Sequence, residues 1–295
     1  MAVDGVAVTA EGFGLKGPRG WAFRGIDLAA EPGALIAVEG PSGSGRTSLL
    51  LALTGRMKAT EGTATLGGAL LPKQLAAVRR FSAPANVAGV TDLDPALTVA
   101  EHLRERALLQ RRFGDSVRAL LRPRAERTAE ERLRVDTALT AAGLDLEALP
   151  KGARTAVRDL ERPEALRLSI ALALIGRPRL LGVDDLDLKL SDAERAEAWA
   201  LLRSLAEAGT TVVAVCSEAP EGVVRVATRS GAEQTASTRP DAARPDAEQT
   251  VPARPAAEQT APSERTVSTQ PAPERPERPE PRKETPDALA ETRRA

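Results

Sequence analysis

The chain contains no tyrosine, one cysteine and one histidine, and aromatic residues make up only 2% of its 295 positions. A lone Cys216 can form neither an internal disulfide nor a cysteine metal cluster, and a reducing cytosol suits that usage best. Excess charge is also missing: Lys+Arg and Asp+Glu both number 41. That balance gives no electrostatic case for nucleic acid as the main partner. The longest apolar runs, "SLLLAL" and "LSIALALIG", fall far short of the ~20 residues that cross a bilayer. Nothing at the N-terminus has the basic, then apolar, then small-residue order of a signal peptide. The expectation is a soluble chain able to work against a membrane.

Composition changes near Arg229. From there to Ala295 the chain is Ala, Arg, Pro, Glu, Gln, Thr and Ser, with "GAEQT", "DAEQT" and "AAEQT" recurring before "PAPERPERPEPRKE". Such a stretch cannot bury enough apolar surface to offset its ordering entropy, which predicts a disordered tail over 229–295. Residues 1–228 look globular. The apolar runs "VAVTA", "ALIAVEG", "TATLGG", "RLLGVDD", "TTVVAVCS" and "GVVRVAT" are short and bounded by turn residues, as strands are. "ALIAVEG" and "TTVVAVCS" lack in/out alternation, which predicts a parallel sheet covered on both faces. The block from Ala96 to Leu139 is charged and helical in period. The fold class is therefore α/β: a mainly parallel sheet, N-terminal β elements and an inserted helical subdomain at about 92–168.

One stretch carries chemistry. "EGPSGSGRTSLL" follows a predicted strand and opens a predicted helix, the context that gives G-x-x-x-x-G-K-[ST] its meaning as a phosphate loop. Gly40, Ser42, Gly43, Ser44, Gly45, Arg46, Thr47 and Ser48 form the candidate cradle. Their amides and the helix N-terminus suit phosphate oxygens, and the Thr47 hydroxyl suits Mg²⁺. Arg46 stands where lysine is expected and keeps the charge but not the compact shape. After the apolar run Leu180–Val183, "RLLGVDDLD" supplies Asp184 as a second Mg²⁺ ligand acting through a water. Asp185 follows as a candidate general base.

Together, "GPSGSGRTSLLLALTGRMKATEGTATLGG", "PALTVAEHL" and "IALALIGRPRLLGVDDLD" resemble the ATP-binding subunit of an ABC transporter, in the right order over residues 1–228. The resemblance implies a P-loop NTPase core, ATP and Mg²⁺ as ligands and a membrane permease as partner. It also implies a homo- or heterodimer of nucleotide-binding subunits and a place at the inner, cytoplasmic face of the membrane. It makes the departures visible too. The family's LSGGQ signature falls on Leu160, Glu161, Arg162, Pro163 and Glu164, where proline has no N–H to donate. The switch histidine falls on Ser217, and His102, in the "LTVAEHL" helix, cannot replace it. The Q-loop glutamine falls on Gly89, with Asn86 the nearest amide, and the D-loop ends at Ser191. Asp185 is one methylene shorter than the family's glutamate. Trp21 or Phe23 is the candidate adenine-stacking aromatic. The expected activity is therefore slow or partner-dependent ATP hydrolysis. A pseudo-ATPase that uses nucleotide as a structural or regulatory ligand, paired in an asymmetric heterodimer, is the alternative. A small-molecule kinase built on the same loop leaves the last two phrases unexplained.

Overall fold

The structure, a computed structural model, describes residues 4–113 and 123–228. The tail predicted from Arg229 lies outside the described residues. Strands β1 (Val8–Gly17), β2 (Gly20–Ala30), β4 (Glu61–Leu66) and β5 (Ala69–Leu71) form an antiparallel sheet in the order β2-β1-β4-β5. Strands β3 (Leu35–Glu39), β6 (Ser82–Ala85), β7 (Leu180–Val183), β8 (Thr211–Cys216) and β9 (Val224–Ala227) form a parallel sheet in the order β6-β7-β8-β3-β9. The runs expected to be strands all carry strands. The long β2 was not marked by any apolar run, because one of its faces is exposed and bulges interrupt its pairing with β1.

The parallel sheet is buried on both faces, as its unbroken apolar strands require. Side chains alternate with the period of two of a strand. Leu35 and Ala37 of β3, with Val212, Ala214 and Cys216 of β8, enter one core with α5 (Arg162–Leu174) and α6 (Asp192–Glu207). Ile36 and Val38, with Val213 and Val215, enter a second core with α1 (Arg46–Leu53) and the antiparallel sheet. A short α2 (Leu75–Phe81) leads into β6.

The helical block contains α3 (Val99–Phe113) and α4 (Arg124–Ala141). Helix α3 opens on Thr98, whose N–H and hydroxyl both donate to Glu101 at 2.7 Å, while the Glu101 N–H returns to the Thr98 hydroxyl at 3.3 Å. This is a capping box. Val99 and Leu103 of α3, Ala138 and Leu139 of α4, and Leu166 and Ile170 of α5 share the core beneath α6. Helix α5 therefore ties the helical block to the parallel sheet. His102 is buried on α3, its Nε2 lying 3.3 Å from the Asp94 carbonyl, in the plain helical role its sequence position suggested.

Candidate functional site

The site sits at the carboxyl ends of the parallel strands, where open α/β sheets bind ligands. Strand β3 ends at Glu39, the loop 40–45 follows, and α1 begins at Arg46. Gly45 is the residue before the helix, with φ +87°, and a Cβ there would stand 1.8 Å from the Ala22 carbonyl oxygen. Only glycine fits, because the backbone conformation and the space both exclude a side chain. Gly40 is held in the same way: a Cβ would meet the Thr228 hydroxyl at 2.5 Å. The buried Ser44 bonds the Thr228 hydroxyl at 2.6 Å, and its N–H closes a turn onto the Pro41 carbonyl at 3.1 Å. Ser44 thus braces the loop from behind rather than facing the cleft. Ser42, Gly43, Gly45, Arg46, Thr47 and Ser48 face an open cleft of about 630 Å³ whose other wall is Gly17–Ala22, with Asp185 on its floor. No acidic residue lies in the first turn of α1. Its first amides have no intrahelical acceptor, which makes this end a seat for an anion.

The acidic side lies at the end of β7. Asp184 is buried, and its Oδ1 has no hydrogen-bond partner. Burial pushes its carboxyl above the usual carboxylate range and the neighbouring Asp185 adds to the rise, while the Thr47 hydroxyl, the Asp185 amide and the Arg46 charge partly oppose it. A buried carboxylate oxygen with no partner, beside a threonine hydroxyl, is the donor set a hard divalent cation takes; the residues fit Mg²⁺. Asp185 is half-exposed with φ +47°, a left-handed conformation that costs a non-glycine residue ~1–3 kcal/mol and tends to collect at functional sites. Asn86, also left-handed at φ +56°, donates its side-chain amide to the Asp184 carbonyl at 2.8 Å. The amide nearest the Q-loop position thus holds the acidic turn in shape. Gly89 is an exposed turn residue whose N–H donates to Asp92 at 2.8 Å.

The aromatic candidates separate. Phe23 is fully buried against Phe13, with ring centroids 5.8 Å apart. Trp21 borders the P-loop cleft, with the Arg24 guanidinium 4.6 Å and the Lys16 ammonium 5.5 Å from its ring.

The departures have structural consequences. Arg46 donates from Nη1 to the Cys216 carbonyl at 2.6 Å. Ser217 donates its N–H and its hydroxyl to Asp187 Oδ2, while Asp187 Oδ1 is buried without a partner. At the signature position Glu161 caps α5, its N–H donates to the Glu164 carboxylate at 2.8 Å, and Pro163 lies in the first turn. Two carboxylates and a missing donor fill the place an anion would take. Arg162 turns to the Leu188 carbonyl at 3.2 Å. Ser191, the last D-loop residue, caps α6 through a reciprocal bond with Glu194. Sequence reasoning missed Asp187 and Thr228. Nothing local marks either, since their partners lie on distant segments.

A family model described as ABC transporter matches residues 23–186, more than half of the chain. Among curated proteins, the "Fe(3+) ions import ATP-binding protein FbpC" of Streptomyces avermitilis is 34% identical over 197 residues, covering 66% of this chain and 51% of its own. The "Nod factor export ATP-binding protein I" of Cupriavidus metallidurans is 31% identical over 188 residues, 64% of this chain and 55% of its own. The chain spans about half the length of these relatives. Among solved structures, the dimeric ATP-binding cassette MJ0796 bound to ADP and Pi superimposes with a TM-score of 0.54 at 24% identity, over 72% of this chain and 88% of that one. This last likeness establishes the fold alone.

Proposed function

This chain belongs to the ABC transporter family, and from that premise we propose that it is the ATP-binding subunit of a transporter. In this reading it holds Mg–ATP in the P-loop cleft and couples nucleotide binding and hydrolysis to a membrane permease. The observation that carries the reading is the pairing of an open α1 N-terminus with the buried Asp184, whose Oδ1 lacks a partner. The amides of Gly43, Gly45, Arg46, Thr47 and Ser48 receive phosphate oxygens, with Ser42 at the rim and Gly40 and Ser44 fixing the loop. Thr47 and Asp184 are the metal-holding residues, and bound Mg²⁺ supplies neutralisation of phosphate charge. Trp21, at the edge of the cleft, is the candidate adenine-stacking ring, for which a base would compete with Arg24 and Lys16.

Asp185 is the candidate base for water. Its short side chain argues for slow turnover, since a 1 Å misplacement can cost ~10²-fold in rate. The self-capped N-terminus of α5 argues that this chain lends no signature surface to a partner's nucleotide. An asymmetric heterodimer, in which the other subunit carries an intact signature, accommodates both facts. The deciding experiment is Mg–ATP turnover by the full chain against Asp184→Asn. Phosphate release that disappears in the variant supports hydrolysis at this site. Release equal to the variant's sinks autonomous hydrolysis and leaves a nucleotide-binding subunit without turnover of its own.

No described helix is long and apolar enough to cross a membrane, so attachment to the inner face of the membrane would run through the permease. A second cleft of about 400 Å³, between the parallel sheet and α3, suits that partner. Arg56 and Arg106 line it, and neither pairs with a carboxylate among the described residues; they bond Ser82 and the Leu172 carbonyl instead. Burial, then the charges of Arg106 and Arg79, bring the Arg56 guanidinium down to about 10. Exposed Val90 and Leu109 rim the same cleft. A permease segment bringing a carboxylate between apolar side chains complements it. Arg106→Glu is expected to release the permease while nucleotide affinity stays within about twofold, because the two clefts share no residue. Co-purification with the permease checks this.

A further inference from the structure

One position where the chain departs from the family pattern bonds the residue next to another. Arg46, in place of lysine, bonds the carbonyl of Cys216, the residue just before Ser217, which stands in place of histidine. Cys216 closes β8, and β8 lies between β3, which leads into the P-loop, and β7, which leads into Asp184. The segment 216–219 is then tied at two further points. Ser217 is held through its N–H and its hydroxyl by Asp187. The Ala219 N–H donates to Glu39 at 3.3 Å. Glu39 closes β3 and Asp187 lies in the turn that follows β7, so this segment is anchored on both sides of the site.

A lysine ammonium ends in one point of charge, whereas a guanidinium is a planar fork with five N–H donors. With Nη1 on the Cys216 carbonyl, the remaining donors stay free of any other protein acceptor among the described residues, and Arg46 borders the P-loop cleft. We propose that Arg46 bridges bound phosphate to the Cys216 carbonyl and so transmits phosphate occupancy to residues 216–219, the task for which Ser217 lacks an imidazole. This inference rests on the reading of the cleft as a phosphate site. A lysine at position 46 carries its three donors on one nitrogen and lacks the fork whose separate nitrogens take the phosphate and the carbonyl.

Hydrogen exchange on the full-length chain, with and without saturating Mg–ATP, tests the bridge. In the wild type, nucleotide slows the amides of Gly43–Ser48 and those of Ser217–Ala219 together. The second effect is about tenfold, the worth of one charge-assisted hydrogen bond. In Arg46→Lys, with occupancy matched by titration with a fluorescent nucleotide, the P-loop amides stay protected and the 217–219 effect disappears. Equal protection of 217–219 in Arg46→Lys overturns the bridge. So does wild-type protection confined to the P-loop, an outcome that needs no variant to fold. No protection of either segment in the wild type removes the phosphate reading itself, and the bridge with it.

Discussion

Two helix N-termini in this chain fall where the resemblance to the family would set phosphate, and they are chemically opposite. The N-terminus of α1 has glycine before its first residue, no acid in its first turn and an open cleft in front of it. The N-terminus of α5 has Glu161 and Glu164 folded over it and a proline in the first turn. Both ends carry the partial positive charge of aligned peptides. At α1 that charge is left for a ligand, while at α5 the chain's own carboxylates answer it. The same backbone feature is thus a candidate site in one place and a stabilised terminus in the other, and the side chains decide which.

The most severe way to break this contrast is to close the open end. Gly45→Ala places a Cβ against the Ala22 carbonyl and forces a left-handed backbone, at a cost of about 3 kcal/mol or more. Nucleotide affinity measured by fluorescence titration is expected to fall by more than tenfold, about 1.4 kcal/mol in binding.

Asp184→Asn ranks next. The Mg²⁺-dependent part of nucleotide affinity is expected to vanish, while the nucleotide-free protein becomes more stable. Burial raises the Asp184 carboxyl, so the folded chain keeps that proton to higher pH than the unfolded chain does. Stability is therefore lost as pH climbs from ~4, the ordinary aspartate value, through the raised folded value, and ionised Asp184 is destabilising above that window. Thermal melts of wild type and Asp184→Asn from pH 4 to 8 should diverge in that direction, by roughly 2–4 °C for each kcal/mol relieved.

Opening the closed end approaches the contrast from the other side. The double change Glu161→Ser and Pro163→Gly restores donors at α5 and removes a capping carboxylate. Nucleotide affinity of the isolated chain is expected to move by less than about twofold. Stability is expected to fall by ~1 kcal/mol through the glycine, because serine at 161 keeps a cap with Glu164. A large gain in affinity would mean that α5 already faces nucleotide within one chain. The smallest effect belongs to the exposed Arg24–Glu61 pair at 3.2 Å. Arg24→Ala is expected to cost less than ~1 kcal/mol in a denaturant melt.

Much of this contrast was legible in the sequence, and the reason is local. Glycine spacing and the apolar runs that became β3, β7 and β8 act over a few residues. Residue type and spacing are therefore sufficient to read them. Trp21 and Phe23 could not be told apart that way. They lie two positions apart on one strand, and only packing against Phe13 assigns Phe23 to the core.

Residue order and type were sufficient for the strand–loop–helix of the phosphate loop, the acidic turn after β7 and the residues missing from the signature and switch positions that the resemblance assigns. Chain chemistry fixes those features wherever they fold. Tertiary structure decided what the departures do. Arg46 and Cys216 are 170 positions apart, as Ser44 and Thr228 are 184, and Asp187 reaches Ser217 across 30. Those pairs meet because the parallel sheet sets β8 between β3 and β7, an order fixed by burial of both sheet faces at once, which no local stretch of sequence encodes.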